Sequence, residues 1–295
     1  LGDTALTRHF PMKKGVPGER VDHVHHRSLY FTHGSVNGTD FWSEKNDSGH
    51  TVHQDYLSIE SGPVFGRFTT RCEWVAREGA LLDDVRTHRV FSPSADVIVV
   101  DFTTTLTAKV DKVTFGDTKE GLFGIRMRNE LREKDGGKVV NAGGAAGTAK
   151  CWGRVSNWID YYGTVKGKTV GMTLFDHPLN FRRSRYHVRN YGLFTISPFG
   201  ERAYTGGKRP ANPAILARGG KLRLRYGLYI HAGDTIKGQV AQTYVSYLKI
   251  SGDSFTQAAA AKAAAAKAAA AKETALKAAK VTADEKNPPG KRSSK

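Results

Sequence analysis

Cysteine is almost missing: the 295 residues hold two, Cys72 and Cys151, far apart and outside any Cys-x-x-Cys pattern. That excludes a thiolate metal knot and a disulfide-dense scaffold, and leaves the redox compartment unassigned. Methionine is equally scarce, at three. No apolar run approaches the roughly eighteen residues that a helical membrane span needs. The glycine-flanked loop at 113–126 contains neither a Walker nor a dinucleotide pattern, so its glycines make no case for a nucleotide. The chain starts at Leu1 without Met, so a leader or a longer segment is expected to have preceded it. Compartment stays open among periplasmic, secreted and cytoplasmic.

Positive charge is plentiful, at +17 overall. From Ala258 onward eight lysines and one arginine face Glu273, Asp284 and Glu285, which gives +6 and leaves +11 for the rest. A body this basic favours an anionic partner, although its charges are interspersed with carboxylates. Hydrophobic residues make up 39%, ordinary for a soluble protein large enough to bury a sizeable core.

Period-two alternation dominates. Leu29 and Phe31 face one side of a strand and Ser28, Tyr30 and Thr32 the other. Further strands are expected at 51–59, 65–75, 81–91, 97–108, 169–175, 186–194 and 221–231, with a helix or last strand at 240–250. Turn signals recur about every ten residues, which predicts an antiparallel β-sandwich or barrel and not alternating βα units. Residues 1–252 form this domain, and 253–295 an Ala/Lys-rich tail. Lys262, Lys267, Lys272 and Lys277 lie five apart, which spreads charge all round a helix running to about Lys280. Such a tail, helical or disordered, suits a tether or a weak, salt-sensitive contact to a polyanion.

Chemistry concentrates in a few places. His23, His25, His26 and His33 crowd into eleven residues. Imidazole titrates, hydrogen-bonds at both nitrogens and binds metals, so this is the strongest pointer to a site. On a regular strand His25 and His26 point to opposite faces, so at most two of the first three converge without a bend. Lys119 and Glu120 lie in a glycine-flanked loop ahead of Arg126, a setting suited to substrate binding or proton transfer. Asp176-His177 ends a strand, where β proteins present functional side chains. His187, Arg189 and Tyr191 share a face.

These motifs together resemble the PmoA-like family of soluble bacterial proteins. The matching stretches are Phe10-Pro11-Met12, Asp22 to Leu29, Val36-Asn37-Gly38, Asp40-Phe41-Trp42 and Phe115 to Gly121. Further on they are Trp158 to Gly163, His187-Val188-Arg189, Tyr191 to Phe194 and Pro198-Phe199-Gly200. The resemblance implies an all-β supersandwich similar to galactose-mutarotase-like folds, whose members commonly act on or bind sugars. It also implies an additional strand before Leu1, and the family's Pro and Trp before the second His-x-Arg are replaced around Arg183–Tyr186.

The expected function is a carbohydrate-active enzyme using His and carboxylate acid–base chemistry, of isomerase, lyase or hydrolase type. Candidate catalytic groups are His26, His53, Glu120, His177 and His187. Arg27, Asn37, Trp42, Lys119, Arg126, Trp158, Asn180 and Arg189 are candidates for binding the sugar. A non-catalytic glycan-binding module is the alternative. No cofactor is called for, but a divalent metal on His23 and His25 is a third option.

Overall fold

The computed structural model describes residues 4–250. Two antiparallel sheets carry the architecture, with strands numbered in chain order. The smaller runs β1 (Leu29–His33), β7 (Gly121–Arg126), β12 (Leu193–Ser197), β11 (Arg185–Val188). The larger runs β2 (His50–Ser61), β3 (Gly66–Ala76), β4 (Gly79–Ser94), β5 (Val97–Ala108), β14 (Lys221–Ala232), β10 (Lys168–Asp176), β9 (Trp158–Val165), β8 (Lys138–Asn141). A two-stranded ribbon pairs β6 (Lys112–Phe115) with β13 (Ala214–Ala217). The expected all-β sandwich is present.

Alternation decides what faces the core. Phe31, Phe123, Phe194 and Ile196 project from the small sheet toward the large one. Phe123 stacks on Phe102 at 4.8 Å and on Tyr226 at 5.7 Å, and Phe31 meets Trp74 edge-on at 5.9 Å. Each such side chain buried is worth about 1.5–3 kcal/mol, and offset or edge-on ring pairs add to that. Tyr186, from β11, donates its hydroxyl to the Leu174 carbonyl at 3.0 Å, tying the two layers across the core.

Each sheet has a second face, and both are covered. On the large sheet the helix Val240–Lys249 lays Tyr244 and Tyr247 over Phe175, at 5.4 and 5.3 Å. The small sheet is covered by the chain before β1 and by the loops at 116–120 and 189–192.

Two expectations change and one open alternative is decided. Residues 186–194 are not one strand but the hairpin β11–β12, because Gly192 takes a left-handed turn (φ 90°) open to glycine. The segment 240–250 is the helix. His23 adopts φ 48° and Ser28 φ 23°, so the histidine stretch is a folded turn and the strand starts at Leu29. The lysine-rich tail lies outside the described residues.

Candidate functional site

The small sheet's covered face carries a polar row. Tyr30 pairs with Gly124, Gly124 with Thr195, and Thr195 with His187, so the four positions cross all four strands side by side. Gly124 supplies no side chain, and a Cβ there would stand 2.7 Å from Thr195 Cγ2 and 2.9 Å from Tyr30 Cζ. The distal end of the Tyr30 ring thus overhangs the centre of the sheet. Its hydroxyl is buried without a hydrogen-bond partner among the described residues. Burial raises this phenol well above its ordinary range, so it keeps its proton and stays a donor.

His187, at the far end of the row, has both nitrogens engaged. Nδ1 donates to the Lys119 carbonyl at 3.2 Å and Nε2 accepts from Arg189 Nε at 3.0 Å, which assigns one neutral tautomer. Burial lowers its pKa to about 4, against the opposing pull of Glu120. Glu120 Oε2 is 3.8 Å from His187 Nδ1, while Lys119 Nζ holds Oε1 at 2.6 Å. The Glu120 backbone is fixed from the other side, since Gly34 N donates to its carbonyl at 2.7 Å and leaves no space for a Cβ. Arg189 lies 5.4 Å over the Trp152 ring.

The opposite wall is built from the N-terminal segment. Asp22 Oδ1 accepts from Arg8 at 2.7 Å and from Arg126 at 2.9 Å, and both guanidiniums are 1% exposed. Burial opposes ionisation of Asp22, but Arg126, His23 and Arg8 overcome it and hold the carboxyl below its ordinary range. Arg126 Nη1 donates to His26 Nδ1 at 2.9 Å and its guanidinium covers the Tyr191 ring at 4.8 Å. His23 stacks between His26 (4.8 Å) and Tyr191 (5.8 Å), while His25 meets His26 edge-on at 4.4 Å. The left-handed turn at His23 supplies the bend that lets all three rings meet. Trp42 closes the corner, 5.4 Å from both His26 and Tyr30. Glu120 lies within electrostatic range of His25, Tyr30 and Tyr191.

A cleft of about 780 Å³ opens beside the edge strand β1 and is lined by His25, Arg27, Tyr30, Trp42, Lys45 and Arg86 among others. Arg27 is paired there with Glu44 at 2.6 Å.

The site therefore gathers His23, His25, His26, Trp42, Lys119, Glu120, Arg126, His187 and Arg189, with Arg27 in the adjoining cleft. Among these His26 is reassigned. Burial, with His25 and Arg126 adding, lowers its pKa to about 2, so it is a neutral ring near neutrality and accepts a hydrogen bond at Nδ1.

Five candidates lie elsewhere. His53 is exposed on the edge strand β2, against Tyr56 at 4.8 Å. Asn37 caps the ribbon, donating to the Lys112 carbonyl at 2.9 Å and accepting from Thr114 N at 2.7 Å. Trp158 pairs with Phe175 and shares its face on the large sheet. His177 packs under that sheet's helix, 5.9 Å from Tyr247, where burial lowers its pKa to about 4. Asn180 binds the Arg225 backbone through both ends of its amide, at 2.9 and 2.8 Å. Those last three are separated from His187 by the sandwich core. Sequence reasoning missed Tyr30, Thr195, Arg8, Asp22 and Tyr191. Among the described residues no three His, Cys, Asp or Glu side chains converge in a metal-holding arrangement.

The solved structures similar to parts of the chain include the following two. A beta-arabinopyranosidase matches with 16% identity and a TM-score of 0.31, over 70% of this chain and 32% of that one. The chain thus spans about a third of that enzyme. A GalM/aldose epimerase homologue from C. elegans matches with 9% identity and a TM-score of 0.26, over 61% of this chain and 69% of that one. Likenesses this distant carry no argument about activity. No curated protein sequence matches. The PmoA-like name appears in none of these comparisons. A family model does match, over residues 1–245, and the chain belongs to that family, DUF6807, a family of unknown function.

Proposed function

We propose that the covered face of the small sheet is the site of a carbohydrate-active enzyme working by proton transfer. The observation that carries this reading is the polar row, with the unpartnered Tyr30 hydroxyl at one end and Glu120 beside His187 at the other. Glu120 is the base. Lys119 holds one carboxylate oxygen and leaves the second to accept a proton from a sugar hydroxyl or an activated C–H. Tyr30 donates to the oxygen that gains the electron pair, and its high pKa keeps that proton in place until it is needed. His187 positions Arg189, and the missing side chain at Gly124 lets the Tyr30 ring reach over the sheet toward the sugar.

The test is a panel of reducing sugars followed by NMR for anomer, epimer or keto-isomer exchange, together with nitrophenyl glycosides. Wild-type turnover of one of them is expected to fall about 10²–10⁴-fold in Glu120→Gln. A smaller loss is expected in Tyr30→Phe, and both variants should keep the wild-type melting temperature. Turnover unaffected by either substitution overturns the reading. Saturable sugar binding without any turnover replaces it with a non-catalytic glycan-binding module, which the full engagement of both His187 nitrogens also suits.

A further inference from the structure

Arg189 is fixed and, among the described residues, makes no ion pair with a carboxylate. Its Nε is anchored on His187 Nε2 at 3.0 Å and its guanidinium lies over Trp152 at 5.4 Å. Glu120, the carboxylate beside His187, is held by Lys119. The two terminal nitrogens form a pre-oriented fork, the geometry that suits a planar carboxylate in bidentate contact. The cleft that adjoins the site through His25, Tyr30 and Trp42 continues the same chemistry. Arg27, Lys45 and Arg86 line it; Glu44 pairs with Arg27 and the buried Asp84 with Arg86, so the lining keeps a net positive charge through Lys45. Its volume falls within the roughly 300–1,000 Å³ of pockets that take ligands larger than one sugar ring.

We infer that the substrate is an acidic oligosaccharide, a chain of uronic acid residues. The carboxylate of one residue sits on the Arg189 fork beside Glu120, and further residues lie along the cleft. This rests on the proton-transfer reading for the position of the reacting sugar, but it concerns recognition and is tested by binding.

Calorimetric titration with di- and hexagalacturonate, and with neutral galacto-oligosaccharides of the same lengths, decides it. The acidic sugars are expected to bind, and the hexamer more tightly than the dimer. In Arg189→Gln the affinity for digalacturonate should fall about 10–100-fold, the range for a charge-assisted hydrogen-bonded pair. Arg189→Lys should recover little of it, because an ammonium makes no planar fork. The combined Arg27→Gln and Lys45→Gln change should shrink the advantage of the hexamer over the dimer. Arg218→Gln, at an exposed arginine paired with Asp111, removes the same charge elsewhere and should change neither. Equal affinity for acidic and neutral sugars, or an Arg189→Gln protein that binds digalacturonate as wild type does, overturns the inference. Turnover of a neutral sugar that depends on Glu120 without any uronate binding sinks this inference alone. Uronate binding and turnover indifferent to Glu120→Gln sinks the proton-transfer reading and leaves this one standing.

Discussion

Asp22→Asn is expected to destabilise the fold by about 2 kcal/mol, less than for a fully buried ion pair because water screens a carboxylate that is 35% exposed. The carboxylate serves two guanidiniums that are each 1% exposed, and each lowers the other's affinity for its proton once the anion is gone. The amide preserves the shape of the side chain, so the loss reports charge and not volume. Arg8 also donates to the carbonyls of His23 and His26, at 2.8 and 3.2 Å, so loosening it releases the histidine turn as well. Urea denaturation measures this. The comparison is Glu44→Gln, which breaks the exposed Arg27 pair and should cost less than about 1 kcal/mol. Equal costs at the two positions would show that Asp22 does not hold the wall.

Mild acid is the second large lever. His33, His177 and His187 have pKa values pushed down to about 4 and His26 to about 2, in each case first by burial. The ordinary value is near 6.5. Because the folded values are depressed, the unfolded chain takes up protons that the folded one refuses. Stability from these groups is complete above about pH 6.5 and falls as the pH drops toward the folded values. One pKa unit corresponds to about 1.4 kcal/mol, so four such groups together remove up to about 5 kcal/mol per pH unit. Against a typical stability of about 5–15 kcal/mol, cooperative unfolding is expected between pH 6 and 4. Circular dichroism melts across that range check it. A melting temperature at pH 4.5 equal to that at pH 7 would mean that these rings are not buried neutral.

The fold was legible because alternation is a local property. Tyr30 and Phe31 are neighbours, and period two alone sends one to the polar row and the other to Phe102. The chemistry was legible only as residue types. His187, Glu120 and the histidine turn stand out by density, yet Tyr30 reads as an ordinary strand tyrosine. Its role comes from what is missing opposite, at Gly124. Pairings such as Arg126 with Asp22 join residues 104 apart, and no spacing rule reaches that far. His177 misled for a definite reason. A polar strand end looks the same from either layer, and sequence parity does not say which of two sheets a strand joins. His53 misled similarly, since alternation on β2 marks a face but not that the strand is a sheet edge with both sides exposed.

The N-terminal wall of the site also carries a schedule. Arg8 N bonds to the Arg126 carbonyl, and His23 stacks on Tyr191, so the earliest part of the domain waits for partners made much later. At the usual pace of roughly 5–20 residues per second, the 118 residues from Arg8 to Arg126 take roughly 6–24 s to synthesise. Throughout that interval Arg8 and Asp22 have neither Arg126 nor a sheet to close over. On a nascent chain the wall therefore docks only after β7 and the turn carrying Tyr191 have been made.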